Sequence, residues 1–252
     1  MVIIPARLSS SRLPGKVLAD LGGKPIVQWV YEVASATSAD AVYAAADDTR
    51  VVEAVEGFGG RAVMTSPACP SGTDRVSEAL ERIPDGDAFD LVVNLQGDEP
   101  FLPPNVVDGL IDMMADDPSI QLGTVAVPAE RAEIASDPSK VKAVLAAASA
   151  GNRPDIRRAL YFTRAAAPYL REGGAEAGMF LHWGIYAYRR DVLKRIVALP
   201  ESPLERCEKL EQLRALENGI SISALVAEGK SVGIDTPEDL ENARRSLEWN
   251  SK

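Results

Sequence analysis

Short apolar runs alternate with amphipathic stretches along most of this chain, and that alternation leaves few architectures open. Val2–Ile4, Ala41–Ala45, Ala62–Met64, Leu91–Leu95, Gln121–Val127, Leu181–Tyr188 and Ile222–Val226 read as strands. Pro25–Ala36, Thr49–Phe58, Asp74–Ile83, Pro103–Ala115, Leu204–Glu217 and Pro237–Leu247 read as helices. The punctuation agrees: Pro25 suits a first helical turn, Ser71 or Thr73 a cap, and Gly59-Gly60 and Asn218-Gly219 a helix stop. Strands alternating with helices predict an α/β fold around a mostly parallel sheet. Residues 128–178 are less regular. They read as an insertion with one or two strands, a helix near Phe162–Ala167 and a mobile loop at Arg171–Gly178. No Pro/Ser linker divides the 252 residues, so a single domain over 1–252 carrying that insertion is expected.

Charge removes several functions. Against 37 Asp+Glu stand 27 Lys+Arg, a net charge of −10, which argues against a nucleic-acid polymer or an anionic membrane as partner. One His cannot build a multi-histidine metal site. Cys69 and Cys207 form no C-x-x-C pair, and a reduced, cytoplasmic chain is expected. The N-terminal apolar run stops at Pro5, too short for a signal h-region, and no apolar run nears the roughly 18–20 residues of a membrane span. The acidic average hides a local exception: residues 1–24 carry Arg7, Arg12, Lys16 and Lys24 against Asp20 alone.

Six motifs can carry chemistry. A-R-L-S-S-S-R-L-P-G-K follows the first strand, where open α/β sheets bind ligands. Its hydroxyls, cations and Gly15 suit an oligophosphate, although it is neither a Walker A loop nor G-x-G-x-x-G. V-N-L-Q-G-D-E-P places Asp98 and Glu99 just beyond a strand end, where metals are held; a capped turn explains it equally well. G-I-D-T-P-E-D-L reads first as a helix start, and gains interest only if Asp235 meets Asp98. Two carboxylates about 4 Å apart at an effective dielectric of about 20 repel by roughly 4 kcal/mol and call for a bridging cation. Mg²⁺ on one or two carboxylates plus phosphates is the usual form. S-G-T-D-R opens a helix and serves either as a cap or as a base or anion contact. In H-W-G-I-Y, His182 is more economically a structural residue. Glu208, Glu211 and Gln212 share a helix face by i, i+3, i+4 spacing, which reads most simply as a solvated face.

Taken together, I-I-P-A-R-x-x-S-x-R-L-P-G-K, G-K-P-I, M-T-x-x-x-x-x-S-G-T-D-R, V-N-L-Q-G-D-E-P, Y-F-T-R, H-W-G-I-Y, L-E-x-x-E-K-L-E-Q-L-R and G-I-D-T-P-E-D-L run in one order from end to end. In this the chain resembles the 3-deoxy-manno-octulosonate cytidylyltransferases, or CMP-Kdo synthetases. The resemblance implies a Rossmann-like fold of the nucleotide-diphospho-sugar transferase type and a homodimer. It implies transfer of CMP from CTP to the sugar acid, with release of pyrophosphate, for lipopolysaccharide synthesis. Mg²⁺ is the implied cofactor, with two ions during catalysis. By the same resemblance Arg7, Ser10, Arg12 and Lys16 would hold the triphosphate, and Pro5, Ala6, Ser71, Gly72 and Arg75 would surround the cytidine. Asp98 and Asp235 would be metal ligands and, with Arg12 and Lys16, the catalytic set. Gln96, Arg164, His182, Tyr186, Glu211 and Gln212 would shape the sugar pocket. Departures occur at Leu8, where the family is usually aromatic, at Ala68-Cys69-Pro70, which lacks the usual His, and at Ser139, Ala143 and Trp183. They bear on which sugar acid is used, leaving 8-amino or sialic-acid-type substrates as alternatives. A non-catalytic nucleotide-binding protein is the reading furthest from these motifs.

Overall fold

The computed structural model describes residues 1–252 apart from 11, 149–152, 173, 175, 176, 230–232 and 251–252, and apart from the side chains of 248–250. The chain divides into two compact units, residues 1–108 with 230–252, and residues 109–229.

In the first unit come β1 (Val2–Ala6), β2 (Asp20–Leu21), β3 (Lys24–Pro25), α1 (Ile26–Ser35), β4 (Val42–Ala46), α2 (Thr49–Gly57), β5 (Ala62–Met64), α3 (Gly72–Arg82) and β6 (Leu91–Asn94). Its main strands stand in the order β5-β4-β1-β6. All neighbours are parallel: Val2 pairs with Val42 and with Val93, and Ala44 with Ala62. The reason lies in the composition of β1, whose Val2, Ile3, Ile4 and Ala6 are fully buried, as parallel strands covered on both faces require. α1 buries the stripe Ile26, Val27, Val30 and Ala34. In such a sheet the loops after β1, β4 and β6 leave from the same, carboxyl edge, and they carry the polar motifs.

The division between residues 108 and 109 falls within α4 (Pro104–Asp116). No linker marks it, so the sequence reads as one domain with an insertion at 128–178. The second unit continues with β7 (Leu122–Ala129), α5 (Arg131–Ile134), β8 (Lys142–Leu145), β9 (Ile156–Thr163), β10 (Met179–Arg189), α6 (Arg190–Ala198), α7 (Pro203–Glu208), α8 (Gln212–Glu217) and β11 (Ile222–Val226). Its order is β10-β7-β11-β9-β8, with β8 also meeting β10 at Lys142 and Leu181. Only β7–β11 is parallel; the other pairs are antiparallel. α9 (Pro237–Asn250) returns to the first unit.

Three local readings change. No helix forms near Phe162–Ala167: Phe162 and Thr163 are the end of β9, paired to Ala143 and Lys142 of β8, and residues 164–167 are irregular. The single helix expected over Leu204–Glu217 is two, α7 and α8, broken at Lys209 in the left-handed region (φ 53). The proposed shared face of Glu208, Glu211 and Gln212 therefore does not exist. Arg190–Ala198, read as no element from sequence, is α6. The loop expected at Arg171–Gly178 lies partly outside the described residues.

A buried ion pair fastens α7 to α8. Arg214 donates from Nε to Glu205 Oε2 at 2.8 Å and from Nη2 to Oε1 at 2.6 Å, with both side chains about one-tenth exposed. Burial pushes the Glu205 carboxyl up, but the Arg214 bonds and the Ser202 amide outweigh it and hold it below its ordinary 4.5. Glu205→Ala, which leaves a buried guanidinium facing no carboxylate there, is expected to cost about 3–5 kcal/mol in urea unfolding. Because the folded value is depressed, this stabilisation is complete above pH 4.5 and fades as pH falls through it; a variant whose acid denaturation matches wild type would contradict the assignment.

Candidate active site

The loop after β1 is closed by Gly15 N–H donating to Leu8 O (3.2 Å), with Gly15 in the left-handed region at φ 69. Lys16 then opens a 3₁₀ turn, Lys16–Leu18, anchored by buried Val17. The loop after β6 approaches β1 closely: a Cβ at Gly97 would sit 2.8 Å from Pro5 O, so only glycine fits. In the segment before α9, Thr236 and Asp239 cap the helix reciprocally. Thr236 N–H and O–H each donate to Asp239 Oδ2 at 2.8 Å, and Asp239 N–H donates to Thr236 Oγ1 at 3.1 Å. Capping is thus met without Asp235, and Ile234 N–H donates to Asp98 O (2.9 Å), holding the two acidic segments together.

The result is convergence on one nitrogen. Lys16 Nζ donates to Asp98 Oδ2 at 2.6 Å and to Asp235 Oδ1 at 2.9 Å. Arg12 Nη2 lies 3.1 Å from the other Asp235 oxygen. Burial works against the Lys16 charge, but Asp98 and then Asp235 more than offset it, and its pKa rises above 10.5. The cleft here, about 370 Å³, is lined by Pro5, Arg7, Ser10, Arg12, Lys16, Ser71, Gly72, Arg75, Gln96, Asp98 and Asp235. Ten of the expected nucleotide and catalytic residues, with Gln96, thus face one space within the first unit. Ala6 does not: its side chain is buried in the core with Val17 and Val27. Two carboxylates aimed at a point already occupied by a cationic nitrogen, in a cleft open to phosphates, fit Mg²⁺, which takes few protein ligands. No cluster of three or more His, Cys, Asp or Glu that would form an all-protein cage occurs among the described residues.

Arg75, expected at the cytidine, is 3% exposed and chiefly braces the walls. It donates to Thr65 Oγ1 (2.7 Å) and to Asp47 Oδ2 (3.1 Å). Asp47 also accepts from Leu8 N–H (2.8 Å), which ties the phosphate-loop candidate to the end of β4. Asp47 was missed in the sequence. The signal was there, a carboxylate directly after the apolar strand Val42–Ala46, as with Asp98 after β6. Glu78 on α3 holds the 66–70 loop, accepting from Ser66 N–H (2.8 Å) and the Cys69 thiol (2.9 Å). Burial, then Glu78, pushes the Cys69 thiol up to about 11.

The second unit gathers other candidates. On β10 an irregularity between Trp183 and Tyr186 keeps His182 and Tyr186 on one face, with ring centroids 5.6 Å apart; Phe162 meets His182 edge-on at 4.7 Å. Thr124 Oγ1 donates its one proton to Ile185 O (2.8 Å), which assigns the 3.0 Å contact with His182 Nε2 as a bond donated by the imidazole. Burial lowers the His182 pKa to about 3 and raises that of Tyr186 well above 10.0, with Tyr188 and Glu211 adding to the latter. Gln212 is 7% exposed, and its Nε2 has no hydrogen-bond partner among the described residues, an orphaned buried donor that a ligand oxygen would satisfy. Arg164, also expected at the sugar, is anchored to backbone carbonyls on either side. Its Nε donates to Glu208 O (2.8 Å) and its Nη1 to Pro138 O (2.9 Å), while Glu208 accepts from Thr163 Oγ1 (2.6 Å) and Arg164 N–H (2.9 Å).

His182 is the chain's one histidine, so its imidazole is a clean reporter. Its proton NMR signals are expected to show no titration step between pH 5 and 8; a midpoint near 6.5 would show that desolvation does not govern this ring.

Comparison with known proteins gives one direction. The model of the cytidylyltransferase family matches residues 1–222. A 3-deoxy-manno-octulosonate cytidylyltransferase of Methylorubrum populi is 45% identical, over 98% of this chain and 96% of its own length. One from Rhodospirillum centenum is 46% identical, over 98% and 93%. Among solved structures, CMP:2-keto-3-deoxy-manno-octonic acid synthetase complexed with CTP superposes with a TM-score of 0.89 at 42% identity, covering 99% of this chain and 98% of that one. A cytidylyltransferase from Leptospira borgpetersenii, at 15% identity and a TM-score of 0.61 over 98% and 86%, shares the fold.

Proposed function

The chain belongs to the cytidylyltransferase family, among the 3-deoxy-manno-octulosonate cytidylyltransferases, and on that premise we propose that it transfers CMP from CTP to 3-deoxy-D-manno-octulosonate. The observation that carries the chemistry is the meeting of Asp98 and Asp235 on Lys16 in a cleft rimmed by Arg7, Arg12 and Ser10. In the reaction the anomeric hydroxyl oxygen bonds to the α-phosphorus, the bond to the β-phosphate bridging oxygen breaks, and pyrophosphate leaves. The hydroxyl proton passes to solvent. Arg12 and Lys16 neutralise charge on the phosphates; Ser10 and Arg7 orient them. Pro5, Ser71 and Gly72 wall the cytidine, with Arg75 holding that wall through Thr65 and Asp47.

Asp98 and Asp235 would hold Mg²⁺, which when bound lowers the pKa of the attacking hydroxyl and offsets phosphate charge. Gln96, Arg164, His182, Tyr186, Glu211 and Gln212 are the sugar-acid contacts in this reading. The buried Gln212 amide donor supports it, and Arg164 orders the neighbouring turn. The product, CMP-activated sugar acid, would feed lipopolysaccharide synthesis in the cytoplasm; both cysteines are free, which suits a reducing compartment. No helix among the described residues is long and apolar enough to cross a membrane. A homodimer is part of the proposal, supported by exposed Leu160, Tyr169 and Leu170 in the second unit.

The test is pyrophosphate release from CTP and Mg²⁺ with a panel of sugar acids. Release is expected with 3-deoxy-D-manno-octulosonate and not without a sugar acid; a preference for a sialic or 8-amino sugar acid would redirect the assignment. Asp98→Ala and Asp235→Ala are each expected to lower kcat by roughly 10²–10³-fold, the rate equivalent of several kcal/mol of charge stabilisation. Normal turnover in either folded variant would remove that aspartate from the catalytic set.

A further inference from the structure

We infer that Lys16 is an internal stand-in for the metal. In the nucleotide-free chain its ammonium neutralises the Asp98–Asp235 pair, and a divalent cation gains those carboxylates only when a triphosphate draws Lys16 away. The inference rests on the metal reading above and adds an order of events to it. Lys16 Nζ donates to both carboxylates, at 2.6 and 2.9 Å, and Arg12 takes the second oxygen of Asp235 at 3.1 Å. Two anions and two cations therefore cancel at the site. A divalent cation arriving alone meets a neutral cluster whose two best oxygens are already engaged and whose neighbours are cationic, so its entry is opposed. A triphosphate reverses the balance, because it brings several negative charges and offers Lys16 and Arg12 new partners.

The backbone favours movement of the side chain alone. Lys16 N–H is fixed to Leu13 O (3.1 Å), Leu18 N–H to Gly15 O (2.9 Å), and Val17 is buried, so the turn stays while the flexible four-carbon stem swings. The Lys16 side chain is only 11% exposed, against 30% for Asp98 and 43% for Asp235, so the ammonium sits beneath the carboxylates rather than over them. From there it can pass to a phosphate without leaving the cleft. Nucleotide and metal then bind with positive coupling, and the coupling is reciprocal.

The experiment measures Mn²⁺ binding to the full chain by electron paramagnetic resonance, with and without CTP and with no sugar acid present. Without CTP, wild type is expected to bind weakly, and Lys16→Met about tenfold or more tightly, while Lys16→Arg stays near wild type. Adding CTP should tighten Mn²⁺ on wild type and remove most of the advantage of Lys16→Met. Lys16→Gln repeats the comparison if Lys16→Met is poorly folded. Equal Mn²⁺ affinity of wild type and both neutral variants without CTP overturns the exchange. The double variant Lys16→Met with Asp98→Asn separates the two claims: lost Mn²⁺ binding supports the carboxylate ligands. Retained binding overturns the metal reading and the exchange with it.

Discussion

The Lys16 ammonium between Asp98 and Asp235 is the interaction on which the remaining arrangement of the first unit depends. Its partners lie 82 and 219 residues away in sequence. Only a parallel sheet with β1 beside β6 brings the first two loops to the same edge, and only the return of α9 to this unit brings the third. Each contact that serves the meeting is local and inexpensive: the Ile234–Asp98 backbone bond, the glycine at 97 beneath Pro5 O, the left-handed turn at Gly15. The cost is electrostatic, since two carboxylates held this close repel. A buried cation offsets it in the protein alone, and the same geometry invites a stronger cation when phosphates are present.

Behind that cluster lies a second polar layer, which reaches the cleft only through Arg75. Asp47 accepts from the Leu8 amide and from Arg75; Arg75 reaches Thr65; Thr65 donates to Ala46 O at 2.8 Å. These groups are buried, and in a low-dielectric interior a fully satisfied network fixes its members firmly. It sets the phosphate-loop candidate against the carboxyl end of β4. The cleft wall is consequently defined from inside the unit, which leaves Arg7, Ser10 and Arg12 on the rim.

Much of this was legible in the sequence, and what was not has physical causes. The four strands of the first unit's parallel sheet read correctly because each is a short apolar run between helices of clear period, whereas the two-residue strands β2 and β3 have no such run and Pro25 read instead as a helix start. Asp98 and Asp235 were legible as candidates, but their meeting was not, because spacing carries no information about contacts across 137 residues of chain. The motif around Asp235 read as a helix cap, and it is one, made by Thr236 and Asp239. In the second unit the sequence misled where ladders decided the outcome. β9 takes Phe162 because β8 pairs with it there, Ala143 opposite Phe162. The turn at Lys209 was invisible because lysine gives no sign of φ 53; the Glu205–Arg214 pair spans it, joining α7 to α8. Asp47 stands at a strand end like Asp98, but its role rests on the Leu8 amide and Arg75, partners 39 and 28 residues away that spacing does not reveal.

The two units also differ in the kind of chemistry they offer. The first concentrates fixed charges: Arg7, Arg12 and Lys16 with Asp98 and Asp235. In the second, burial keeps His182 neutral, with its pKa near 3, and keeps the Tyr186 phenol protonated, with its pKa well above 10.0. Neither changes charge between pH 5 and 8, and the Gln212 amide carries none at all. Such groups donate and accept hydrogen bonds with fixed roles, which suits recognition of hydroxyl positions. They are poorly suited to abstracting a proton. Desolvation thus directs the one imidazole in the sequence toward hydrogen bonding, while the fixed charges of the first unit are the groups suited to stabilising charge on phosphates.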